Sequence, residues 1–371
     1  MRLMRRSIRT GALFAIGLAA AVAATPHAQS IAAADTFAAR IATLSEPGGY
    51  FDTDDLISNE RSYLHVAPAL RRAGLAGTTY IGVGPDTNFS YIAQSRPSMA
   101  FIIDIRRDNL LLHLLFKALF AESTTRIDFL ARLIGRAAPA DLAPWRQADV
   151  GQIVADLDRA ALPDAAAMRA RHGAVASRLK TFGVPLSDAD FETIDRFHRT
   201  FETQGLDLKL EIIGRGTPVY YPTFRDLLLE TDRDGRQQSY CASEDDFQFV
   251  RGLEARDLVI PVVGDLGGTT ALRNIGRLMS ARGETLGAFY TSNVEFYLFR
   301  SGTFPQFVTN VSRLPHTGRS VIIRSAFISA AGGIVPMLPG YDSASLLGGV
   351  DDLVQGVANG RIRSYLDLVA R

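Results

Sequence analysis

Short apolar runs and amphipathic stretches follow one another along most of this chain. Neither Tyr80–Val83 nor Ala100–Ile105 alternates polar with apolar residues, which is typical of strands buried on both faces of a parallel sheet. Three further strand-like runs begin at Leu258, Thr285 and Ser320, and two helices are predicted after the last of them. Strands that are separated by helices imply right-handed crossover connections between parallel strands. The pattern therefore predicts an α/β protein with a mostly parallel sheet.

Residues 109–250 differ because amphipathic stretches follow one another there with helical spacing. Leu110–Phe120 is apolar on nearly every side, which predicts a helix buried against the sheet or, alternatively, a surface for a partner protein. Ser187 and Asp190 have the spacing of a capping box, which predicts a helix start. The sequence therefore predicts a large helical insertion between the second and third strands, with Val219–Phe224 as a loop or an edge strand.

The first residues have the composition of a secretory signal peptide. A basic start up to Thr10 precedes Gly11–Ala24, which has no polar side chain, and Ala28 provides a cleavage site. The apolar stretch is shorter than the roughly 20 residues that cross a bilayer. We therefore predict a periplasmic or secreted protein without a transmembrane span in its mature chain. The alternative is an uncleaved N-terminal membrane anchor.

The predicted organisation has five parts. In chain order they are a signal peptide (1–28), N-terminal helices with a cap over the site (35–77), the first half of the sheet domain (78–108), the helical insertion (109–250) and the second half of the sheet domain (251–371).

The amino-acid composition of the chain and the absence of certain motifs argue against several classes of function. The 371 residues contain 40 basic and 39 acidic side chains, so a net charge of +1 gives no field that favours nucleic acid. Cys241 is the single cysteine, and a buried structural thiol is a better prediction than a catalytic one. The six histidines lack the spacing of a zinc-binding helix, so no metal site is predicted. No Gly-x-Ser-x-Gly or Gly-Lys-Ser/Thr motif supports a hydrolase or a P-loop enzyme, and the oligomeric state is left open.

Small and polar residues follow each predicted strand, where an open α/β sheet binds its ligands. Glycines after the first strand let the backbone approach a ligand, and an acid after the second can accept hydrogen bonds from ribose hydroxyls. This order of elements predicts a Rossmann-like cleft for a small nucleoside-type molecule. The residues at the strand ends are Gly82, Gly84, Asp86, Asn88, Asp104, Arg106, Gly264, Asp265, Gly267, Ser292, Asn293, Glu295, Arg324 and Ser325.

Each of these residues also has a purely structural explanation. Glycines after strands often form turns, and Asp86 and Asp265 are suited to cap the helices that follow them. Asp104 has Arg106 and Arg107 nearby as ion-pair partners. Asn293 and its neighbours are suited to stabilise a loop. The prediction of a cleft therefore depends on these residues meeting at one edge of the sheet.

Five stretches of the chain resemble the class I S-adenosylmethionine-dependent methyltransferase fold, and more closely an uncharacterised bacterial family with that fold. They are Tyr50–Tyr63, Tyr80–Phe89, Phe101–Arg106, Val262–Gly267 and Ser292–Leu298. The resemblance covers nearly everything after the leader. It implies S-adenosylmethionine as the cofactor, with residues 50–63 folded over it.

The resemblance also implies roles for individual residues. Gly82 and Gly84 would face the methionine moiety, Asp104 the ribose and Asp265 the adenine. Asp86 and Asn88 complete the expected cofactor set. The expected substrate-binding residues are Asn59, Glu60, Asn293, Glu295 and Arg324, and no catalytic residue is assigned.

Three departures from the methyltransferase pattern are visible in the sequence. Tyr80 stands where an acid usually precedes the glycines, Pro85-Asp86 replaces a third close glycine, and no antiparallel hairpin is recognised at the end of the sheet. The sequence therefore predicts an exported methyltransferase-like protein that binds a nucleoside-type ligand. The alternative is an exported, non-catalytic binding or interaction module with a degenerate cofactor site.

Overall fold

A six-stranded sheet forms the centre of the protein, whose computed structural model describes residues 36–370. The strands are ordered β3-β2-β1-β4-β5-β6; the first five are parallel and β6 runs antiparallel to β5. The prediction of an α/β, Rossmann-like fold with a mostly parallel sheet is confirmed. In chain order the strands are β1 (Thr79–Gly82), β2 (Met99–Asp104), β3 (Val259–Val263), β4 (Leu286–Ser292), β5 (His316–Phe327) and β6 (Ser343–Gly349). The predicted signal peptide, residues 1–28, lies outside the described residues.

Helices connect the strands of the sheet and pack against them. Those before β3 are α1 (Phe37–Leu44), α2 (Ala67–Arg72), α3 (Thr87–Ser95), α4 (Arg107–Glu122), α5 (Arg126–Leu133), α6 (Val150–Arg159), α7 (Ala165–Thr181), α8 (Asp188–Gln204), α9 (Phe224–Leu229) and α10 (Glu244–Ala255). After β3 come α11 (Ala271–Arg282), α12 (Val294–Ser301), α13 (Phe304–Ser312), α14 (Ile328–Ala331), α15 (Val350–Ala358) and α16 (Tyr365–Val369). Helices α4 to α10 all lie between β2 and β3 in the chain. Among residues 36–370, no helix is both long and apolar enough to cross a membrane.

Helix α4 is buried along its whole apolar stretch, from Asn109 to Phe120. It contacts β2 and β3 on one side and α7, α8 and α10 on the others. Phe116 and Phe120 of α4 pack edge-to-face on Phe89 of α3 with ring centroids 5.6 and 5.2 Å away. The helix is therefore part of the core and offers no exposed face to a partner protein.

The C-terminal end of the sheet differs from the prediction. Two helices alone were expected after the fifth strand, whereas Ser343–Gly349 forms β6 before them. This segment is rich in serine and glycine, so its own sequence does not indicate a strand. It becomes one because the edge of β5 that faces away from β4 is free, and β6 pairs with it along residues 321–327. The protein thus has the antiparallel strand that the sequence seemed to lack.

Candidate functional site

A cavity of about 810 Å³ lies at the carboxyl ends of β1 to β4. The chain builds outward from β1 to β3 and then returns to place β4 on the other side of β1. Ligands of open α/β sheets bind at such a reversal of strand order. The volume falls within the 300–1,000 Å³ that small-molecule sites usually have. Each of the four strands contributes lining residues from its carboxyl end, at 83–85, 103–106, 264–266, and at 290 and 292–294.

Two segments from distant parts of the chain form the wall opposite the sheet. Thr53 and Ile212 form an antiparallel bridge, flanked by hydrogen bonds from Asp54 N to Glu211 O (3.0 Å) and from Ile213 N to Asp52 O (2.8 Å). The expected cap therefore reaches the cavity, but it does so joined to a loop of the helical region. Aromatic side chains are frequent in this wall and at the β4 side: Phe51, Tyr220, Tyr221, Tyr290, Phe296 and Tyr297.

Gly84 presents bare backbone to the cavity. Its φ of +79° is a conformation that favours glycine, and no described atom lies within 4 Å of where a Cβ would be. The Gly84 carbonyl accepts a hydrogen bond from His113 Nε2 at 2.9 Å. Burial lowers the pKa of His113 to about 4, so the imidazole is neutral and donates through Nε2–H.

Gly82 and Asn88 shape this loop from behind and do not line the cavity. Asn88 Nδ2 donates to the carbonyls of Val83 (2.8 Å), Gly84 (3.2 Å) and Pro85 (2.7 Å), and its Oδ1 accepts from the Tyr80 hydroxyl at 2.8 Å. A Cβ on Gly82 would stand 1.9 Å from Asn88 Oδ1. Glycine is therefore needed at position 82 to make room for the Asn88 side chain. The position of Gly82 outside the cavity lining does not support the expected contact with a cofactor.

Asp104 lines the cavity but is bonded to Arg106. Its Oδ1 accepts from the Arg106 backbone N at 2.8 Å, and the guanidinium lies 3.3 Å from both carboxylate oxygens. Arg106 also donates to Thr53 O (2.8 Å) and to Asp55 Oδ2 (2.6 Å). Burial raises the pKa of Asp55, and the charge of Arg106 opposes that rise. The ion pair foreseen as the structural alternative for Asp104 is thus present beside the cavity.

Asp265, Asn293 and Asn59 also line the cavity. Asp265 Oδ1 accepts from Gly267 N at 2.8 Å and closes a turn; the residue that caps α11 is Thr270, so the expected capping role is wrong. Asn293 precedes α12, and its side chain makes no capping hydrogen bond to described residues. Its amide oxygen instead lies 3.5 Å from the Ser292 hydroxyl at the tip of β4.

Glu60 lies fully buried beneath the cavity and does not line it. The Tyr290 hydroxyl donates to its carboxylate at 2.7 Å, and the hydroxyls of Ser292 and Ser325 donate to it as well. Burial raises the pKa of Glu60, while these three donors favour the charged form. Glu60 therefore ties the cap segment to β4 and β5, and it reaches the cavity only through Tyr290 and Ser292.

The remaining predicted residues lie in the protein interior. Glu295 and Arg324 form a buried two-point ion pair, with contacts of 2.8 and 3.2 Å, that joins α12 to β5. Asp86 accepts from the Tyr240 hydroxyl at 3.3 Å, and burial raises its pKa to about 7. Of the predicted set, the structure brings Asn59, Gly84, Asp104, Asp265 and Asn293 to the cavity. It keeps Glu60, Gly82, Asp86, Asn88, Glu295 and Arg324 outside the lining.

The sequence interpretation missed several residues that face the cavity. Asp55 adopts a positive φ of 44°, as does Ser292 of the predicted strand-end set with 54°; such angles are uncommon outside glycine and often occur at functional sites. Arg215 and Arg300 bring positive charge to the lining. Nothing in the local pattern around Asp55 or Arg215 indicates these positions, because their contacts with Arg106 and Asp52 come from distant segments.

Comparison with known proteins gives a family but no activity. No curated protein matches the chain. Residues 56–159 and 217–333 match the family described as a domain of unknown function (DUF7790). The two matched segments contain every strand-end residue of β1 to β4 that lines the cavity, and together they cover more than half of the chain. The chain therefore belongs to this DUF7790 family.

Proposed function

We propose that the cavity binds a nucleoside-type ligand, S-adenosylmethionine, and that the protein is methyltransferase-like. The observation that carries this proposal is the convergence of Gly84, Asp104 and Asp265 on one cavity at the reversal of strand order. The antiparallel β6 beside β5 supports a sheet of the class I methyltransferase type. The helices between β2 and β3 are then a large insertion into that fold.

The residues present fit such a ligand at three positions. The open backbone at Gly84 accommodates the methionine moiety, the Asp104 carboxylate is placed to accept from ribose hydroxyls, and Asp265 with the apolar residues beside it would flank the adenine. When bound, S-adenosylmethionine would supply an electrophilic methyl group. The chain's own contribution would be to orient that ligand and an acceptor near Asn293 and to exclude water, because methyl transfer depends mainly on positioning.

A second candidate function is a non-catalytic binding module. It is favoured by the contacts of Asp104, whose two oxygens both face Arg106, and by Tyr80 in the place of the usual acid. In such a site an arginine neutralises the carboxylate that is expected to bind ribose, as in a protein whose site has changed its ligand. The two functions differ in whether the protein binds S-adenosylmethionine.

Calorimetric titration with S-adenosylmethionine and S-adenosylhomocysteine tests the proposal. Asp104→Asn should weaken binding by roughly 1.5–3 kcal/mol, because it removes charge-assisted hydrogen bonds to the ribose. Asp158→Asn is the matched control, since Asp158 also pairs with an arginine, Arg225, but lies outside the cavity. Binding that is equal in both variants would refute the ribose role of Asp104. A wild-type protein that binds neither compound would favour the binding module.

We also propose that the chain is exported and loses residues 1–28. Native mass spectrometry of protein isolated from its own cell envelope would show a mass lower by those residues, together with any small molecule that is retained. An intact N-terminus in that fraction would favour the membrane anchor, and an intact chain confined to the cytoplasm would contradict export.

A further inference from the structure

We propose that a divalent transition-metal ion such as Zn²⁺ binds to His172, His198 and Glu202 in the helical region. These side chains lie on α7 and α8, and the family match covers neither helix. None of the three lines the cavity. The proposed site is therefore a property of this chain, independent of the proposed methyltransferase function.

The helices bring these three side chains together. His198 and Glu202 are four residues apart on α8, so they project from the same face of the helix. His172 reaches them from α7. One ligand atom from each of the three residues lies within 4.8 Å of the others. Two imidazoles and a carboxylate are a donor set that suits Zn²⁺.

The distances within the cluster approach those of a tetrahedral site. His172 Nε2 lies 2.9 Å from Glu202 Oε2, and His198 Nε2 lies 3.6 Å from Glu202 Oε1. The carbonyl oxygen of Arg132 accepts from His198 Nε2 at 3.0 Å, so His198 would release this proton when it binds the ion, and water would complete the coordination. Metal–ligand bonds of about 2.0–2.1 Å place neighbouring donors of a tetrahedron roughly 3.3 Å apart. The His172 and His198 rings are stacked with centroids 4.8 Å apart, so they would have to turn toward the ion to enclose it.

One buried oxygen in the cluster needs a partner. Glu202 Oε1 is buried and accepts no hydrogen bond from any residue in 36–370, and the Glu202 side chain is 8% exposed. A buried carboxylate oxygen without a partner is costly, because it has lost its hydration. A bound cation would remove this cost, and the nearest nitrogen, His198 Nε2, is too far away to do so as a donor.

Asp195 orients His172 as in known zinc sites. Its Oδ1 lies 2.6 Å from His172 Nδ1, which leaves Nε2 to face Glu202. Metal-binding histidines commonly donate their other nitrogen to a carboxylate in this way. A protonated His172 between two carboxylates would explain the same contacts without a metal. That arrangement, however, leaves Glu202 Oε1 unsatisfied, because the proton on His198 Nε2 is directed to Arg132 O.

Calorimetric titration of the untagged, metal-stripped full chain with Zn²⁺ tests the proposal. We expect one ion per chain and a rise in the thermal midpoint on binding. His172→Gln and Glu202→Gln should each weaken binding at least tenfold. His316→Gln is the matched control, because His316 also faces a carboxylate, Asp351, at 3.2 Å but lies outside the cluster. It should leave zinc binding unchanged.

Absence of stoichiometric zinc binding to the wild-type chain would overturn the proposal, as would binding that survives in both ligand variants. If these variants do not fold, Asp195→Asn provides the test because it leaves all three ligands in place. It should lower zinc affinity by about 10- to 100-fold, as the loss of an orienting partner usually does. An unchanged affinity in that variant would contradict the geometry proposed here.

Discussion

Two glycines that are two residues apart have different functions in the first loop. Gly82 is required by packing, because a methyl group there would collide with the Asn88 side chain. Gly84 is required by its backbone conformation, and the space next to it is open to the cavity. A substitution at Gly84 therefore tests ligand approach without overfilling the core.

We expect Gly84→Ala to destabilise the fold by about 1–2 kcal/mol, because alanine is strained at positive φ. The new methyl group would also stand in the cavity and weaken the binding of S-adenosylhomocysteine. Gly360→Ala is the control: its φ of +72° is similar and no described atom crowds its Cβ position, but it lies away from the cavity. Urea unfolding should show similar losses for both variants, and calorimetry should show weaker binding for Gly84→Ala alone. Equal affinities would contradict the placement of the ligand beside Gly84.

At the scale of elements, Arg106 joins the end of β2 to the cap segment. Its guanidinium contacts Asp104, Asp55 and the Thr53 carbonyl together, and its exposed side-chain fraction is only 9%. Glu60 makes a second connection, to the hydroxyls on β4 and β5. The cap segment is thus held to the sheet by two buried ionisable side chains, Arg106 at the end of β2 and Glu60 in the cap segment itself.

Arg106→Lys should loosen the cap segment, because a lysine ammonium cannot contact all three partners of the planar guanidinium. The amides of Asp54 and Ile213, which bond across the bridge at Thr53, should then exchange with deuterium faster. Arg107→Lys is the control, since Arg107 is half-exposed and pairs with Asp190 on α8, away from the cap segment. Hydrogen-exchange mass spectrometry would measure both. Unchanged exchange in residues 50–58 of the Arg106 variant would show that the arginine does not hold the wall.

At the scale of the whole molecule, sheet and helical region share one core. A single cluster of buried apolar residues extends from α1 through the strands to α8 and includes α4 at its centre. Of the helices between β2 and β3, α4 packs against both strands, and α7, α8 and α10 pack against α4, so the core of this region is continuous with that of the sheet. Separate unfolding of that region would expose much of the apolar surface of β2 and β3.

We expect residues 36–370 to unfold as one cooperative unit. Trp145, the single tryptophan, lies in the helical region, so its fluorescence reports on that region while circular dichroism reports on all helices. The two urea transitions should coincide, as they do when no intermediate is populated. Trp145→Phe should abolish the fluorescence change without altering the transition seen by circular dichroism. Two separated midpoints would show that the helical region is an independent domain.

Features that depend on near neighbours or on burial alone could be predicted from the amino-acid sequence. The parallel strands could be predicted because strands that are covered on both faces consist of uninterrupted apolar runs. The capping box at Ser187 and Asp190 was readable because its two partners are three residues apart, and the structure shows both of its hydrogen bonds. The burial of Cys241 and of the apolar helix α4 followed from their composition.

Which polar residues contact one another could not be predicted without the fold. Glu60 contacts Ser325 across 265 positions, and Thr53 pairs with Ile212 from a loop that the sequence left unassigned. Strand β6 exists because β5 offers a free edge, and the histidines of α7 and α8 meet because both helices pack against α4. The periodicity of apolar residues indicates whether a residue is buried, whereas the residues that it contacts depend on how the whole chain folds. For that reason the sequence predicted which edge of the sheet holds the site. It left two alternatives for Asp104, a contact with ribose or an ion pair with a neighbouring arginine, and the fold shows the ion pair with Arg106.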